Sequence, residues 1–390
     1  MPPMNESPDP LARFRAASAA REAAGLRRTL RVRTPDGDGL IDLASNDYLG
    51  LAGDERLAEA ATAAVRTWGT GSTGSRLVTG STSLHAALEE RLRAFAQAEG
   101  ALVFSSGYLA NLAAVATLGG DALVVSDAGN HASIVDACRL SRSRVVVTPH
   151  RDVTAVEKAL ADRDTEHAVV VTDAVFSVDG DLAPLADLHA AAVRQGALLI
   201  VDEAHSIGVI GPLGQGAVHA AGLAGEPGIV RTVTLSKSLG SQGGAVLGAR
   251  EVIETLMDTG RSFIFDTGLA PGCVAAALAA VDILHNQPEL PGYVRTAARE
   301  LASMARELGL ETNDPAGAVV PIVLGPPETA LRAAVICAEH GVRAGCFRPP
   351  SVPAGRSCLR LTARANLSSD DLAVIRGALT AVAEMMKVTM

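Results

Sequence analysis

Five short runs of apolar, largely β-branched residues in the middle of this 390-residue chain constrain its fold more than any other feature. Segments with a helical pattern separate the runs, as in residues 131–143 and 182–196. Strands that are apolar along their whole length and alternate with helices predict a mostly parallel α/β sheet, flanked by helices on both faces. The five runs are residues 122–127, 144–149, 167–173, 196–205 and 229–236.

Acidic residues stand at or near the ends of three of these runs, at Asp127, Asp173 and Asp202. Open α/β sheets bind their ligands beyond the carboxyl ends of the strands. Polar residues at these positions are therefore candidates for chemistry, and we expect a functional site at this edge of the sheet.

The pattern divides the chain into three parts. Residues 1–45 form an N-terminal arm, with an Ala- and Arg-rich helix predicted from Leu11 to Arg28. Residues 46–285 carry the alternating runs and form the large domain. After a proline-bearing stretch, residues 286–390 predict a smaller C-terminal α+β domain. The 48% hydrophobic content is enough for a large buried core in a chain of this length.

Composition argues against several classes of protein. A net charge of −9 argues against a nucleic-acid binder, whose affinity comes from Lys and Arg contacts to phosphates. No run of about 18 apolar residues occurs, and charges interrupt the first 30 residues, so we expect neither a membrane span nor a secretory signal. Five cysteines without CxxC spacing favour free thiols in a reducing compartment over a metal site or disulfides. We therefore expect a cytoplasmic protein that binds no metal.

One lysine stands out in the stretch TVTLSKSLGSQGG, residues 232–244. The chain holds 34 lysines and arginines, but three of them are lysines, namely Lys158, Lys237 and Lys387. A surface position is the ordinary explanation of any lysine. At Lys237 that explanation is weaker, because the neighbouring serines and glycines are small enough to line a cavity. Lysine also offers a primary amine, which forms a Schiff base and carries protons at a lowered pKa, as arginine cannot.

Two further stretches carry candidate residues. In VDEAH, Asp202 ends an apolar strand and His205 follows three residues later. A helix cap and a metal ligand are alternative roles for such an acid, but no other cluster with metal spacing lies beside it. A buried acid could instead pair with a ring nitrogen of a cofactor. In SSGYLAN, residues 105–111, Gly107 begins a predicted helix whose N-terminal amides could hold a phosphate group.

Together, a lysine, an acid and a helix N-terminus at one edge of the sheet match the needs of a pyridoxal phosphate site. The lysine binds the aldehyde, the acid keeps the pyridine nitrogen protonated, and the amides hold the phosphate. This combination is far more specific than any of its members.

A literal GxGxxG stretch at residues 69–74 raises the alternative of a dinucleotide site. It follows a helical pattern rather than a strand, so the context that gives this motif its meaning is missing. We interpret it as a glycine-rich turn near another site or at a subunit interface.

At these residues the sequence resembles the α-oxoamine synthase family of fold-type I pyridoxal phosphate enzymes. The similarity covers nearly the whole chain and keeps the order and spacing of the family's motifs. It implies a fold-type I transferase, with a mostly parallel central sheet flanked by helices and a smaller C-terminal α+β domain. The matching stretches are SNDYLGL (45–51), GSTGSRLVTGSTSLH (71–85), SSGYLAN (105–111), NHASIVDA (130–137), VFSVDGDLAPL (175–185), VDEAHSIGVIG (201–211), TLSKSLGSQGG (234–244) and FRPPSVPAG (347–355).

The resemblance implies roles for residues around the cofactor ring. Lys237 would bind pyridoxal phosphate, Asp202 would face the pyridine nitrogen, and His131 would stack on the ring. His205 would hydrogen-bond the ring hydroxyl, and Ser177 would make a further polar contact on the ring side. Lys237, His131, Asp202 and His205 would be the catalytic residues.

Other positions match the family's phosphate and dimer contacts. Gly107 and Tyr108 would supply backbone amides to the phosphate, and Thr234 would supply its hydroxyl. Thr267 resembles a residue that reaches the phosphate of the neighbouring subunit. The resemblance therefore implies a homodimer with shared active sites.

Substrate contacts follow from the same likeness. Asn46 and Arg360 would lie near the carboxylate of the amino acid, and Arg27 and Ser351 near the acyl substrate. A guanidinium is also a natural partner for a carboxylate on physical grounds, although a surface arginine is the alternative. Two features depart from the family pattern: Asp173 stands where many relatives have glutamate, and no histidine follows Thr362.

The implied activity is that of a pyridoxal phosphate-dependent acyltransferase, which joins an amino acid to an acyl thioester with loss of CO2. The FRPPSVPAG stretch favours L-alanine with pimeloyl-CoA, or with a pimeloyl carrier protein, as in biotin synthesis. Glycine with acetyl-CoA or succinyl-CoA, and serine with palmitoyl-CoA, are alternatives. An aminotransferase or lyase on the same fold, and a non-catalytic binding protein, are more distant ones.

Overall fold

The computed structural model describes residues 9–28, 30, 32–35 and 37–389, so the first eight residues of the predicted arm lie outside the description. The strands are β1 (Ile41–Leu43), β2 (Gly100–Phe104), β3 (Leu123–Asp127), β4 (Val145–Thr148), β5 (Ala168–Asp173), β6 (Leu198–Asp202), β7 (Ile229–Thr234), β8 (Gly244–Gly248), β9 (Val319–Gly325), β10 (Val342–Phe347) and β11 (Ser357–Thr362). The helices are α1 (Ala12–Ala23), α2 (Glu55–Trp68), α3 (Ser83–Ala96), α4 (Gly107–Leu118), α5 (Ala132–Ser141), α6 (Val153–Ala161), α7 (Leu185–Arg194), α8 (Ala217–Ala220), α9 (Arg250–Thr259), α10 (Arg261–Ile264), α11 (Pro271–Asn286), α12 (Leu290–Glu307), α13 (Pro327–Glu339) and α14 (Ser369–Thr389).

Over the described residues, a central sheet of seven strands has the order β2-β8-β7-β6-β5-β3-β4. Strands β3 to β7, which are the five apolar runs, pair in parallel with their neighbours among themselves. Strand β8 runs antiparallel to both β2 and β7. The predicted fold class, a mostly parallel sheet flanked by helices, is therefore confirmed.

The two faces of this sheet bury alternate residues of each strand. On β5, Val169 and Val171 pack with residues of α4 and α5, whereas Val170 packs with residues of α6 and α7. A strand covered on both faces needs an apolar side chain at every position. This requirement explains why the strands appear in the sequence as continuous apolar runs rather than as an alternating pattern.

A smaller four-stranded sheet within the described chain has the order β1-β10-β11-β9. Strands β10, β11 and β9 pair antiparallel, and β1 adds to the edge of β10 in parallel, with Ile41 opposite Val342. The sequence predicted β9 and β11, but not that a strand of the N-terminal arm completes their sheet. The predicted boundary near residue 286 coincides with the end of α11.

The N-terminal helix is shorter than predicted, because α1 ends at Ala23 rather than near Arg28. Gly25 follows it with a φ of +65°, a conformation that glycine adopts without the strain of a side chain. The N–H of Gly25 donates to the carbonyl of Glu22, and the N–H of Leu26 donates to that of Arg21. These bonds close the last helical turn and end α1.

Across the described ranges, none of the helices is both long and apolar enough to cross a membrane. The same part of the chain contains no group of three or more His, Cys, Asp or Glu side chains that could hold a metal ion. The five cysteines are free thiols, and Cys138, Cys337 and Cys358 are buried.

Candidate active site

A cavity of about 680 Å³ opens at the carboxyl ends of the parallel strands. Strand register brings Asp173 opposite Asp202, and Asp202 opposite Thr232. The lining residues are Ser106, Gly107, Tyr108, Asn111, His131, Ser133, Asp173, Asp202, Ala204, His205, Thr232, Val233, Thr234, Ser236 and Lys237.

Asp202 is buried at the end of β6, and each of its carboxylate oxygens has a donor. Asn111 Nδ2 donates to Oδ2 over 2.6 Å, and the backbone N–H of Ala204 donates to Oδ1 over 2.8 Å. Asn111 is itself held by Thr232, whose hydroxyl donates to its Oδ1 over 2.6 Å, and its Nδ2 also lies 2.8 Å from Ser133 Oγ. This network fixes the position of the carboxylate.

Asn111 was not among the residues that the sequence singled out. It lies 91 positions from Asp202 in the chain, in a helix that otherwise carries small and apolar residues along LANLAAVATL. A buried amide in such a helix needs hydrogen-bond partners. A polar amide in an apolar helix therefore indicated a buried hydrogen bond, but the sequence did not identify the partner of Asn111.

Asp173 lies beside Asp202, at the end of β5. It is buried, and its Oδ2 accepts a hydrogen bond of 3.0 Å from the backbone N–H of His131. Burial raises the pKa of Asp173 well above its ordinary value, and the neighbouring charge of Asp202 raises it further, although Lys237 opposes the shift. The geometry therefore favours the protonated form of Asp173 far more than exposed surroundings would.

His131 caps the N-terminus of α5 and its ring lines the cavity. The backbone N–H of Ser133 donates to its Nδ1 over 3.3 Å, and the hydroxyl of Ser133 lies 2.7 Å from the same atom. Because Nδ1 accepts from the backbone, the proton of the neutral ring resides on Nε2. The ring therefore carries a hydrogen-bond donor on its other nitrogen.

Lys237 lies three residues beyond the end of β7, with its Nζ 2.8 Å from Nε2 of His205. Burial lowers the pKa of Lys237 to about 8, although Asp202 and Asp173 act in the opposite direction. Burial also lowers the pKa of His205 well below its ordinary value, and the positive charge of Lys237 adds to this effect. The amine can therefore exchange a proton near neutral pH beside a neutral imidazole.

The N-terminus of α4 forms the opposite wall of the cavity. Ser106 caps the helix by accepting a hydrogen bond of 3.2 Å from the N–H of Leu109. Gly107 packs against Thr234, where an added Cβ would lie 3.1 Å from that side chain. An added Cβ on Gly244 would lie 2.5 Å from the backbone of Gly107, so glycine is needed at this crossing. The first N–H groups of a helix have no partner within the helix and point to its end, where an anion can bind.

Two predicted substrate residues lie together behind His205. Nη2 of Arg360 donates to Oδ1 of Asn46 over 2.6 Å, and Nη1 donates to the carbonyl of Ser177 over 2.8 Å. Arg360 is 4% exposed, and its guanidinium carbon lies 4.6 Å from the centre of the Phe347 ring. Its Nε is buried without a hydrogen-bond partner among the described atoms. Arg360 is thus a buried cation, and not the surface arginine of the alternative interpretation.

Two other predicted residues, Arg27 and Ser351, lie outside the main cavity. Arg27 and Ser351 line a second cavity, where Arg27 pairs with Glu22 and Arg28 approaches Ser351. Tyr108 lines the main cavity, but its hydroxyl donates outward to Asp136.

Thr267 is exposed and pairs with Ser75 in an isolated bridge just after the glycine-rich turn. This turn therefore contacts the loop that carries Thr267, rather than the main cavity.

The donor set fits pyridoxal phosphate. Lys237 offers the amine for the aldehyde, Asp202 offers a fixed carboxylate for the pyridine nitrogen, and the α4 N-terminus with Thr234 offers amides and a hydroxyl for the phosphate. A side chain at Gly107 or Gly244 would crowd that end of the cavity, so the glycines keep the helix end open to an anion.

Comparison with known proteins agrees with this assignment. The family model described as aminotransferase class I and II matches residues 38–379. The 8-amino-7-oxononanoate synthase of Mycolicibacterium gilvum (strain PYR-GCK) is 58% identical over 374 residues, which are 96% of this chain and 97% of that protein.

Solved structures are similar over most of their length. Serine palmitoyltransferase from S. paucimobilis, in a variant with a bound PLP–myriocin aldimine, matches with a TM-score of 0.90 at 30% identity. The match covers 98% of this chain and 100% of that one. The 8-amino-7-oxononanoate synthase from Francisella tularensis matches with a TM-score of 0.78 at 26% identity, over 90% of this chain and 99% of that one.

Proposed function

Since the chain belongs to the aminotransferase class I and II family, and within it to the 8-amino-7-oxononanoate synthases, we propose that it condenses L-alanine with a pimeloyl thioester. The products would be 8-amino-7-oxononanoate, CO2 and the free thiol of the acyl carrier. One observation carries the proposal: a chain with this similarity brings the Lys237 amine, the Asp202 carboxylate and a helix N-terminus into a single cavity. The cofactor is pyridoxal phosphate.

The bound cofactor supplies an electron sink for the negative charge left at the amino acid Cα when a proton or CO2 departs. Lys237 is the group that would move this proton. Its pKa of about 8 keeps both the amine and the ammonium populated near neutral pH, so it can remove the proton from Cα and later return one. Asp202, held by Asn111 and Ala204, would keep the pyridine nitrogen protonated.

His131 would act on the acyl donor. Because its Nδ1 accepts from the backbone of Ser133, its Nε2 proton can point to a carbonyl oxygen in the cavity. A hydrogen bond to the thioester carbonyl stabilises the negative charge that develops there during attack. The same ring would stack on the cofactor.

Arg360 and Asn46 would hold the carboxylate of L-alanine. Arg360 lies 2.6 Å from Asn46 and is buried, so its charge is little screened by water. A carboxylate bound here is held in one orientation before it leaves as CO2. Decarboxylation then removes the negative charge that Arg360 attracts. Ser177 supports the guanidinium through its backbone carbonyl, and this contact differs from the side-chain contact predicted from the sequence.

The acyl donor would contact Ser351 and Arg27, which line the second cavity. Arg28 and Arg348 line it as well, so it presents several positive charges to the donor. This charge suits the anionic groups of either pimeloyl-CoA or a pimeloyl carrier protein.

A homodimer with shared sites forms part of the proposal. Phe265 is 71% exposed and Val78 is 78% exposed, on the two loops joined by the bridge between Ser75 and Thr267. Exposed apolar side chains grouped in this way suit an interface with a second copy. Thr267 would reach the phosphate in that partner's site. We also propose a cytoplasmic location, which suits a chain with five free thiols.

Replacement of Lys237 tests the proposal directly. We expect Lys237→Ala to lower turnover of L-alanine with pimeloyl-CoA by about 10⁴-fold or more, because no other side chain replaces the nucleophilic amine. Lys158→Ala, which changes an exposed lysine, is the matched control and should retain wild-type turnover. Borohydride reduction followed by peptide mapping should place a pyridoxyl group on Lys237. Full activity of the Lys237→Ala variant would refute the mechanism.

Serine palmitoyltransferase activity is a second candidate, favoured by the TM-score of 0.90 to that enzyme. A matrix of amino acids and acyl-CoA donors, with release of free CoA as the readout, separates the two. We expect the highest rate for L-alanine with pimeloyl-CoA. A higher rate for serine with palmitoyl-CoA would overturn the proposed substrates while leaving the class of reaction intact.

A further inference from the structure

Arg360 carries a buried positive charge whose hydrogen-bond acceptors, among the described residues, are neutral. Its side chain donates to the amide oxygen of Asn46 and to the backbone carbonyl of Ser177, and its Nε has no acceptor there. Burial lowers the pKa of Arg360, which reflects the cost of holding this charge away from water. Two neutral oxygens offset part of that cost, and the guanidinium needs a further partner.

The aromatic ring of Phe347 is that partner. The guanidinium carbon of Arg360 lies over the ring, 4.6 Å from its centre. The negative potential of an aromatic face attracts a cation, and the attraction is stronger where water is excluded, as it is around Arg360. A carboxylate in place of the ring would compete with an anionic ligand for the guanidinium. A neutral ring supports the cation and leaves its charge available to such a ligand.

The small sheet builds this contact. Arg360 on β11 lies directly opposite Gly345 on β10, and Phe347 is two residues further along β10, so the side chains of Arg360 and Phe347 lie on one face of the sheet. An added Cβ on Gly345 would lie 3.2 Å from Cε2 of the Phe347 ring. The ring therefore leans over Gly345 towards Arg360, into space that a larger side chain at position 345 would fill.

Phe347 also belongs to the second cavity. It is the last residue of β10 and the first of the FRPPSVPAG stretch, and it lines the second cavity together with Arg348 and Ser351. The residue that contacts Arg360 is thus part of the segment that carries the predicted acyl-donor contacts.

We propose that Phe347 is a positioning residue that holds the guanidinium of Arg360 through a cation–π contact and thereby sets the affinity for the carboxylate of the amino acid. The inference rests on the proposed function in one respect, that Arg360 binds this carboxylate. Phe347 acts through Arg360 and makes no bond to the substrate. Without the ring, the guanidinium would have to be ordered when the substrate binds, and the affinity would fall.

Binding of L-alanine to the pyridoxal phosphate-loaded protein, without an acyl donor, tests the contact through the absorbance of the cofactor. We expect Phe347→Leu, which keeps an apolar side chain and removes the aromatic face, to raise the Kd for L-alanine about tenfold. Phe347→Tyr keeps the aromatic face and should bind within about twofold of wild type. Phe14→Leu is the matched control, because it removes an exposed ring whose centre lies 4.5 Å from the guanidinium carbon of Arg13. This variant should bind L-alanine as wild type does.

L-Alaninamide separates a role in carboxylate binding from a general structural role, because it has the amine and methyl group of L-alanine but no negative charge. We expect Phe347→Leu to change the Kd for L-alaninamide by less than about twofold, since one contact that acts through Arg360 is lost. An unchanged Kd for L-alanine in Phe347→Leu would overturn the inference. An equal loss of affinity for L-alanine and L-alaninamide would overturn it as well.

Pentafluorophenylalanine at position 347 decides the question if Phe347→Leu does not fold. It keeps the shape of the ring and reverses the potential of its face, so we expect the Kd for L-alanine to rise about tenfold. Wild-type affinity in that protein would contradict the inference.

Arg360→Gln distinguishes a failure of this inference from a failure of the proposed function. A loss of L-alanine affinity in Arg360→Gln without a loss in Phe347→Leu would overturn the inference alone. Wild-type affinity in Arg360→Gln would refute the proposed carboxylate site, and the inference with it.

Discussion

Asp202 and Asp173 occupy paired positions at the ends of neighbouring strands, yet their carboxyl groups have different hydrogen-bond partners. Asp202 receives a donor on each oxygen, from Asn111 and Ala204. Asp173 receives the backbone N–H of His131 on one oxygen, and burial with the adjacent charge raises its pKa. The residue type and the register are the same, so the two carboxylates differ in the number of hydrogen-bond donors that surround them.

Asp127 ends a third strand and shows a further outcome. Its carboxylate accepts from the backbone N–H groups of Gly129 and Arg151 and from the ring of His150, and it does not line the main cavity. It holds a loop in place. A strand-end aspartate in this fold is therefore a carboxylate with a donor on each oxygen, a buried carboxyl with a raised pKa, or a loop anchor, according to the groups that surround it.

Among changes at the strand-end aspartates and their partners, the largest effect is expected from Asp202→Asn, which removes the charge and keeps the shape. We expect kcat to fall about 10³-fold, because the amide cannot stabilise a protonated pyridine nitrogen. The measurement is steady-state turnover, with the absorbance of bound pyridoxal phosphate as a check that the variant still loads. Turnover within tenfold of wild type would show that Asp202 is not the charge that matters.

A smaller loss is expected from Asn111→Ala, which leaves Asp202 in place without its side-chain donor. We expect kcat to fall about tenfold, in keeping with the loss of one hydrogen bond to a charged group. Asn366→Ala, at an exposed asparagine, is the matched control. If Asn111→Ala matched wild type, the donors on Asp202 would not explain its difference from Asp173.

The pH dependence of cofactor loading compares the two aspartates through their effect on Lys237. Its pKa of about 8 means that the neutral amine, and hence the loading rate, should rise about fivefold between pH 7 and pH 8. Asp202→Asn should move the midpoint to lower pH, because a negative charge that favours the ammonium is removed. Asp173→Asn should move the midpoint less than Asp202→Asn does, because the raised pKa of Asp173 reduces the negative charge that this carboxyl presents to Lys237. Equal shifts of the loading midpoint in the two variants would show that the two carboxyl groups affect the pKa of Lys237 equally.

The smallest effect is expected on stability. Asp173 has a raised pKa in the folded chain, so its contribution is favourable at low pH and becomes a cost as pH rises through that pKa. The gain in melting temperature from Asp173→Asn should therefore be larger at pH 8 than at pH 5, by about 2 °C. Asp127→Asn, which weakens a loop anchor, should lower the melting temperature. A lower melting temperature of Asp173→Asn at pH 8 would show that Asp173 is held as an anion.

Much of the fold followed from the sequence because strands buried on both faces leave an unmistakable apolar run. The same logic placed Asp202, Lys237 and Gly107 at one edge of the sheet. Strand β8 was not predicted, since GAVLG is short and rich in glycine. Its antiparallel direction depends on its pairing with β2 on one side and β7 on the other. Such a position is set by long-range pairing and not by local pattern.

The residues that support the site were harder to find than those that line it. Tyr48 lies within SNDYLGL, but its bond to His205 spans 157 positions, and no local periodicity reports a contact of that kind. Arg27 and Ser351 were expected at the acyl substrate, and the structure places them around a second cavity. Their role stays a prediction, as do the roles of Ser177 and Thr267.

Strand β8 also has a consequence for the order of events during synthesis. Gly244 pairs with both Phe104 and Thr234 and lies against Gly107, so the helix end that would receive the phosphate is complete only when β8 is in place. A nascent chain that has emerged as far as Lys237 already carries the amine and the acid, but it lacks the crossing strand. The phosphate end of the site therefore cannot form until the ribosome has synthesised β8, and tight capture of the cofactor waits for that strand.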